Sequence, residues 1–212
     1  MRDEAARLAG ITGIDRALWR EGKVFAGIDE AGRGPLCGPV VAACVIMPPS
    51  PLIDGVNDSK KCSQARREAL YGRIMECASF VGVGEASVQE IDALNILQAT
   101  RLAMRRAAQG AICDLFLVDG NQTIELPEEQ KEIEVRALTG GDARCYSIAA
   151  ASIVAKTTRD RAMCTLDGQY PGYGLARHKG YGTAAHIAAI RALGPSPIHR
   201  RSFLRKILGD DA

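Results

Sequence analysis

Acidic residues stand at three points where the chain leaves an apolar run or enters a helical stretch. Asp29 and Glu30 follow Val24-Phe25-Ala26-Gly27-Ile28, Asp119 closes Leu115-Phe116-Leu117-Val118, and Asp142 sits in Gly140-Gly141-Asp142-Ala143, ahead of an alanine-rich segment. The carboxyl ends of buried strands are where open α/β sheets hold ligands. Four carboxylates with no histidine ligand pattern suit a hard cation such as Mg²⁺ or Mn²⁺. Repulsion among unpaired carboxylates is costly, and a bound divalent ion removes it. Singly, each acid has a plainer reading as a solvated strand end, an Asx turn or a helix-entry acid that complements the dipole. Together they suggest metal-assisted phosphodiester hydrolysis, with an acid–base glycosidase pair left open by residue types alone.

The charge distribution disfavours the glycosidase. The formal charge is +2, but residues 156–206 hold ten Lys or Arg against two acids, a local +8 that leaves −6 elsewhere. All three histidines, 178, 186 and 199, fall in the same segment. Such a run is either a solvated arginine-rich face or a landing strip for a polyanion, nucleic acid above all. Lys179, Arg177 and the tail arginines are the expected phosphate grip, and His186 and His199 are expected at the surface or in the tail.

Periodicity gives the elements that must carry these groups. Ile14, Ala17 and Leu18 are spaced for a short helix ending at Gly22, and strands are expected over 24–29, 40–46, 80–86, 115–119 and 132–138. Helices are expected over 64–77, capped by Ser63, and over 94–109, 147–166 and 184–193, with a basic Gly- and Tyr-rich loop over 168–182 and a basic tail. The first two strands suggest a hairpin at the sheet centre. Adjacent carboxylates on a continuing strand would face opposite sides. The first strand is therefore expected to stop at Asp29, with the glycine-rich turn re-aiming Glu30. The whole reads as an α/β sheet with helices packed on it.

At 212 residues, 47% hydrophobic and 25% charged, with a mean hydropathy of −0.05, the chain is expected to form one globular domain. Its longest apolar run, 40–47, has eight residues, against about 20 for a membrane helix. The N-terminus resembles neither a signal nor a transit peptide, so a cytoplasmic location is expected. Seven cysteines without a C-x-x-C read as reduced core thiols, without a disulfide framework or zinc site.

Longer blocks carry a family resemblance. Residues 29–43 (DEAGRGPLCGPVVAA), Asn57-Asp58-Ser59-Lys60-Lys61, Val118-Asp119-Gly120, Gly141-Asp142-Ala143, residues 147–156 (SIAAASIVAK), Arg159-Asp160 and His178-Lys179-Gly180-Tyr181-Gly182-Thr183 occur in this order. From about Val24 to Phe203 the chain closely resembles bacterial ribonuclease HII. The resemblance implies an RNase H-like fold: a five-stranded mixed sheet flanked by helices, with a helical C-terminal part. It implies one domain over 1–212, with a core at about 24–166 and a basic helical part at about 167–212. It also implies an endonuclease that cuts the RNA strand of RNA–DNA hybrids and nicks DNA 5′ of embedded ribonucleotides, leaving 3′-hydroxyl and 5′-phosphate ends. Mn²⁺ or Mg²⁺ is the implied cofactor and nucleic acid the implied partner, with no membrane and a monomeric chain.

By position, the resemblance puts the metal-binding, catalytic carboxylates on Asp29, Glu30, Asp119 and Asp142. Gly32, Arg33 and Gly34 then read the ribose 2′-hydroxyl, Tyr181 lies beside the ribonucleotide junction, and Asn57, Lys60 and Ser147 contact phosphate. Close backbone approach at glycines and a flat ring with a hydroxyl suit those roles. Two positions depart from the family pattern. Cys62 replaces a usual leucine, which should loosen packing slightly, and Gly141 replaces a frequent lysine, which should remove one phosphate contact. Two readings compete: a ribonuclease HIII, for whose extra N-terminal domain the 28 residues before Asp29 are too few, and an inert hybrid-binding module, against which four intact carboxylates argue.

Overall fold

The computed structural model describes residues 2–57, 59, 62–121 and 123–208. Five strands form one mixed sheet: β1 (Phe25–Ala31), β2 (Val40–Ile46), β3 (Phe80–Ala86), β4 (Leu115–Asp119) and β5 (Glu134–Leu138), in the order β3-β2-β1-β4-β5. β1 and β2 are the expected central hairpin, and β2 continues antiparallel into β3. β4 and β5 run parallel to β1. All seven residues of β2 are buried, as an uninterrupted apolar run requires.

Helices cover both faces. On one lie α3 (Gln64–Cys77) and the 24-residue α6 (Tyr146–Gln169); on the other lies α5 (Ile96–Ala108). Residues 146–155 of α6 are all buried, the signature of a helix enclosed on every side. Two N-terminal helices, α1 (Arg2–Ile11) and α2 (Gly13–Arg20), precede the sheet. The one-turn α7 (Leu175–His178), α8 (Ala184–Leu193) and α9 (Arg201–Leu208) form the C-terminal part, which closes its own cluster of Leu36, Met163, Tyr173, Leu175, Ile190 and Leu204. Among the described residues no helix is long and apolar enough to cross a membrane.

The structure differs from expectation at three places. The helix expected over 94–109 is α5, and an unexpected helix, α4 (Val88–Leu94), precedes it; Asn95, with a φ of 72°, ends α4, and its side chain accepts from Leu97 N and Gln98 N to start α5. α1 and α7 were not anticipated. Most consequentially, β1 does not stop at Asp29. Its ladder to β2 continues through Glu30 opposite Ala42 and Ala31 opposite Val41, and it ends only at Ala31.

Candidate metal and nucleic-acid site

Side chains alternate along a strand, so Asp29 shares a face of the sheet with Phe25 and Gly27, and Asp119 shares one with Leu115 and Leu117. These are the same face, because Phe25, Leu115 and Leu117 pack with Ile148 of α6 in one cluster. Gly27 stands opposite Leu117 and Ile28 opposite Val118 across the parallel pair, which brings the two aspartates together at its carboxyl end. An ideal Cβ on Gly27 would lie 2.3 Å from the Ser147 carbonyl carbon and 2.4 Å from Ile148 N. Glycine is what lets the first turn of α6 rest on the β1 backbone. The short 3₁₀ turn Gly141–Ala143, just upstream of α6, thereby carries Asp142 over the strand ends.

Asp29, Asp119 and Asp142 each offer an oxygen within 4.8 Å of the others, the spacing of donors sharing one ion or a close pair of ions. Gly141 N donates to Asp119 Oδ1 at 2.7 Å and Glu30 N to Asp29 Oδ1 at 2.7 Å, which fixes both carboxylates. Burial pushes the Asp29 carboxyl well above the usual range, and the charges of Glu30 and Asp119 push it further. A cation among these oxygens relieves that repulsion, and an all-oxygen donor set fits a hard divalent ion.

Glu30 occupies a different place from the trio. Because β1 continues, period two turns Glu30 to the α5 side, where it borders a cavity with Asp119, Thr100 and Arg101, and its Oε1 accepts from Arg33 Nη1 at 3.2 Å. The expected re-aiming by the glycine turn does not occur. Glu30 lines this cavity and also the cleft that holds Asp29.

Beside the trio a cleft is lined by Asp29, Gly32, Arg33, Gly34, Lys156 and Tyr181. Gly32 has φ +99° and room for no side chain, since its Cβ would meet Arg159 Nε at 2.1 Å. At Gly34 the nearest atom to a Cβ is Tyr181 Cε1 at 3.7 Å, an ordinary contact. The Tyr181 ring is 44% exposed, with Lys156 Nζ 5.9 Å from its centroid. Asp160 holds Lys156 at 2.6 Å and is itself tied to Arg67 at 3.1 Å. Ser59 and Ser152, joined by a 2.9 Å hydrogen bond, complete the wall. Sequence reading named neither serine as a site residue, and nothing local marks them.

The phosphate contacts expected of the chain fare unevenly. Ser147 is fully buried and its hydroxyl donates to Asp15 Oδ1 at 2.7 Å, so it begins α6 and does not face a phosphate. Asp15, in α2, also accepts from Tyr146 N at 2.8 Å and Ser147 N at 2.9 Å, supplying the N-terminal cap that Cys145 does not. Asn57 is half-buried on the loop before α3, whose Ser59 lines the cleft; Lys60 lies outside the described residues. Cys62 is buried in the core, and a side chain at Gly141 would press on Ile148 Cδ1 at 2.6 Å and Asp119 Oδ1 at 3.3 Å.

Part of the basic segment faces inward. Arg159 and Arg200 are fully buried, and Lys179, at 9% exposure, donates to the Ala176 carbonyl and to Cys164 Sγ. Lys179 is therefore not a phosphate grip. Arg177, Arg191, Arg201 and Arg205 remain exposed. His186 and His199 are also buried, against the surface placement expected of them. They lie with Cys37 at metal-ligand spacing, His186 Nε2 being 3.9 Å from Cys37 Sγ, and the rings are hydrogen-bonded to each other. Ser196 N donates to His199 Nδ1 at 3.0 Å, which leaves the ring proton on Nε2, facing His186 Nε2 at 3.2 Å. His186 Nδ1 then donates to the Tyr181 carbonyl at 3.0 Å. Burial lowers both pKa values, that of His199 to about 4, so this is a neutral hydrogen-bonded pair behind Tyr181.

Residues 26–206 match the family model described as Ribonuclease HII. The chain is 55% identical over 195 residues to a ribonuclease HII of Syntrophotalea carbinolica, covering 90% of each, and 53% identical over 199 residues to one of Geobacter sulfurreducens, covering 92% of this chain and 89% of that one. Among solved structures, the ribonuclease H2 of Pyrococcus horikoshii OT3 superposes with a TM-score of 0.69 at 29% identity, over 86% of this chain and 96% of that one. The five-stranded mixed sheet, the carboxylates at its central strand ends and a match over nearly the whole described chain agree: the chain belongs to the ribonuclease HII family.

Proposed function

We propose that this ribonuclease H endonuclease uses Asp29, Asp119 and Asp142, with Glu30 at the rim, to hold Mn²⁺ or Mg²⁺, and reads the ribose through Gly32–Gly34 and Tyr181. The observation that carries this reading is the convergence of three aspartates beside a glycine loop faced by an exposed tyrosine ring. Bound divalent ions supply charge at the scissile phosphate and activate water for in-line attack. The chain's own residues do the rest. Backbone N–H groups at 141 and 30 orient the carboxylates, the Gly32–Gly34 backbone lines the cleft, with Arg33 and Gly34 exposed to close approach by a sugar, and the Tyr181 ring offers it a flat surface. The exposed arginines 177, 201 and 205 supply salt-dependent attraction to the duplex. We read residues about 24–166 and 167–212 as one domain, supported by Arg200 bonding back to residues 32–38, and the chain as a monomer.

With water and not the 2′-hydroxyl as nucleophile no cyclic phosphate forms, and the cut, on the 5′ side of an embedded ribonucleotide as the family resemblance implies, leaves a 3′-hydroxyl and a 5′-phosphate. End-group analysis of a duplex with one ribonucleotide tests this. A 2′,3′-cyclic phosphate, or equal cutting of an all-DNA control, overturns it.

The glycine loop separates folding from recognition. Gly32→Ala is expected to cost about 1–3 kcal/mol, since alanine is strained at φ +99° and Arg159 fills the space. Gly34→Ala has room in the protein, so its stability stays within ~0.5 kcal/mol of wild type while kcat/KM on the single-ribonucleotide duplex falls. Thermal unfolding and steady-state kinetics on the two variants check both halves.

A further inference from the structure

Two arginines from the C-terminal half are buried without a carboxylate on their guanidinium groups and bond almost wholly to one short loop. Arg200 makes five hydrogen bonds: Nε to the Gly38 carbonyl at 3.0 Å, Nη1 to Arg33 at 3.0 Å and Pro35 at 2.8 Å, and Nη2 to Gly32 at 2.7 Å and Gly38 at 2.8 Å. Its backbone N donates to the Leu36 carbonyl at 2.9 Å. Arg159 takes Pro39 at 3.0 Å and Cys37 at 3.2 Å, and reaches the Lys179 carbonyl at 3.0 Å. Of the eight carbonyls from Gly32 to Pro39, seven thus accept from Arg159 or Arg200, and Gly34 is the exception.

Burying a guanidinium is costly unless its five donors are met, and here carbonyl dipoles meet them. Burial pushes Arg200 down to about 9, with the Arg159 charge adding to the effect, so it remains a cation at neutral pH. The loop's hydrogen-bonding capacity is left on the other side. The N–H groups of Gly32, Arg33 and Gly34 have no intramolecular partner among the described residues. A backbone whose carbonyls are drawn to a buried cation, and whose consecutive N–H groups are left over, is a preorganised binding concavity.

We propose that Arg200, assisted by Arg159, is a positioning residue for ribonucleotide recognition: it clamps the 32–39 carbonyls so that the N–H groups of 32–34 are preset for the sugar, and it does not itself touch the substrate. The inference rests on the reading of Gly32–Gly34 as the ribose sensor given above. It places part of the specificity of the catalytic core in the C-terminal segment, and lysine cannot substitute, because an ammonium offers three donors from one point where the guanidinium spans four carbonyls.

The test uses the full-length chain with Mn²⁺ and three duplexes of one sequence: a single-ribonucleotide duplex, an all-DNA duplex and an RNA–DNA hybrid. Arg200→Lys is expected to lower kcat on the single-ribonucleotide duplex at least about ten-fold, as loss of a supporting contact does. All-DNA affinity and the Mn²⁺-induced rise in Tm should stay within about two-fold of wild type. Wild-type kcat and preference in Arg200→Lys, measured well below its Tm, overturn the proposal. Should that variant fail to fold, Arg159→Lys, which loosens the same loop at Cys37 and Pro39, is held to the same two outcomes. Arg33→Ala run in parallel separates the layers. If it shifts the ribonucleotide preference and the clamp variant does not, the clamp falls alone; if neither shifts it, the loop reading falls and the clamp with it.

Discussion

Asp29→Asn and Asp119→Asn are each expected to lower kcat by roughly a hundred-fold or more, since replacing even a partner outside the ligand set of a metal costs 10–100-fold. Hybrid affinity should hold or tighten, because removing a negative charge eases the approach of phosphate. A second readout separates ligand loss from misfolding. In metal-free protein Asp29 is buried with Glu30 and Asp119 charges beside it, so the amide relieves repulsion and Tm should rise, by about 2–4 °C for each kcal/mol relieved. Added Mn²⁺ should then stabilise wild type and leave the variant nearly unmoved. Retention of more than about a tenth of the wild-type rate removes that aspartate from the catalytic set.

Gly27→Ala, a single added methyl at a buried position that does not line the cleft, should be nearly as damaging. Its Cβ would collide with backbone atoms of Ser147 and Ile148 at 2.3–2.5 Å, and backbone cannot rotate away. The start of α6 must move off the sheet by about 1 Å, with an overpacking cost of ~1–3 kcal/mol. The turn bearing Asp142 moves with it. A displacement of that size in a reacting constellation costs on the order of a hundred-fold in rate. Differential scanning calorimetry and single-turnover cleavage measure the two effects. A variant with wild-type Tm and rate would show that α6 does not set the height of Asp142.

Local pattern carried the strand-end acids, because a strand's alternation and its apolar run lie in consecutive residues. Asp29 and Asp119 were therefore legible, and so were the five strands and the Ser63-capped helix. Glu30 was misplaced because the extension of β1 depends on pairing with Val41 and Ala42 across the hairpin, which the glycine-rich sequence hides. α4, which hydrophobic periodicity does not reveal, carries a local signal of its own: Ser87 and Glu90 form a capping box at its start. For Ser147 no local signal exists, since Asp15 is remote in sequence. Counting basic residues likewise cannot separate arginines facing solvent from Arg159 and Arg200, whose partners are carbonyls contributed mostly by the 32–39 loop. The buried histidine pair was missed for the same reason.

The cap on α6 also orders events in time. Asp15 precedes the backbone it caps by 131 and 132 residues, and at ~5–20 residues per second that stretch takes from about 7 to 26 s to synthesise. Throughout that interval α2 has emerged and its docking partner has not. Such a contact of high sequence separation forms late, after loop-closure entropy has been overcome. A nascent chain halted before Ser147 already carries Asp29, Asp119 and Asp142, yet has no capped helix to press the last against the other two. Competence for phosphodiester cleavage is thus acquired only once α6 has been synthesised, when an earlier helix of the chain meets a later one.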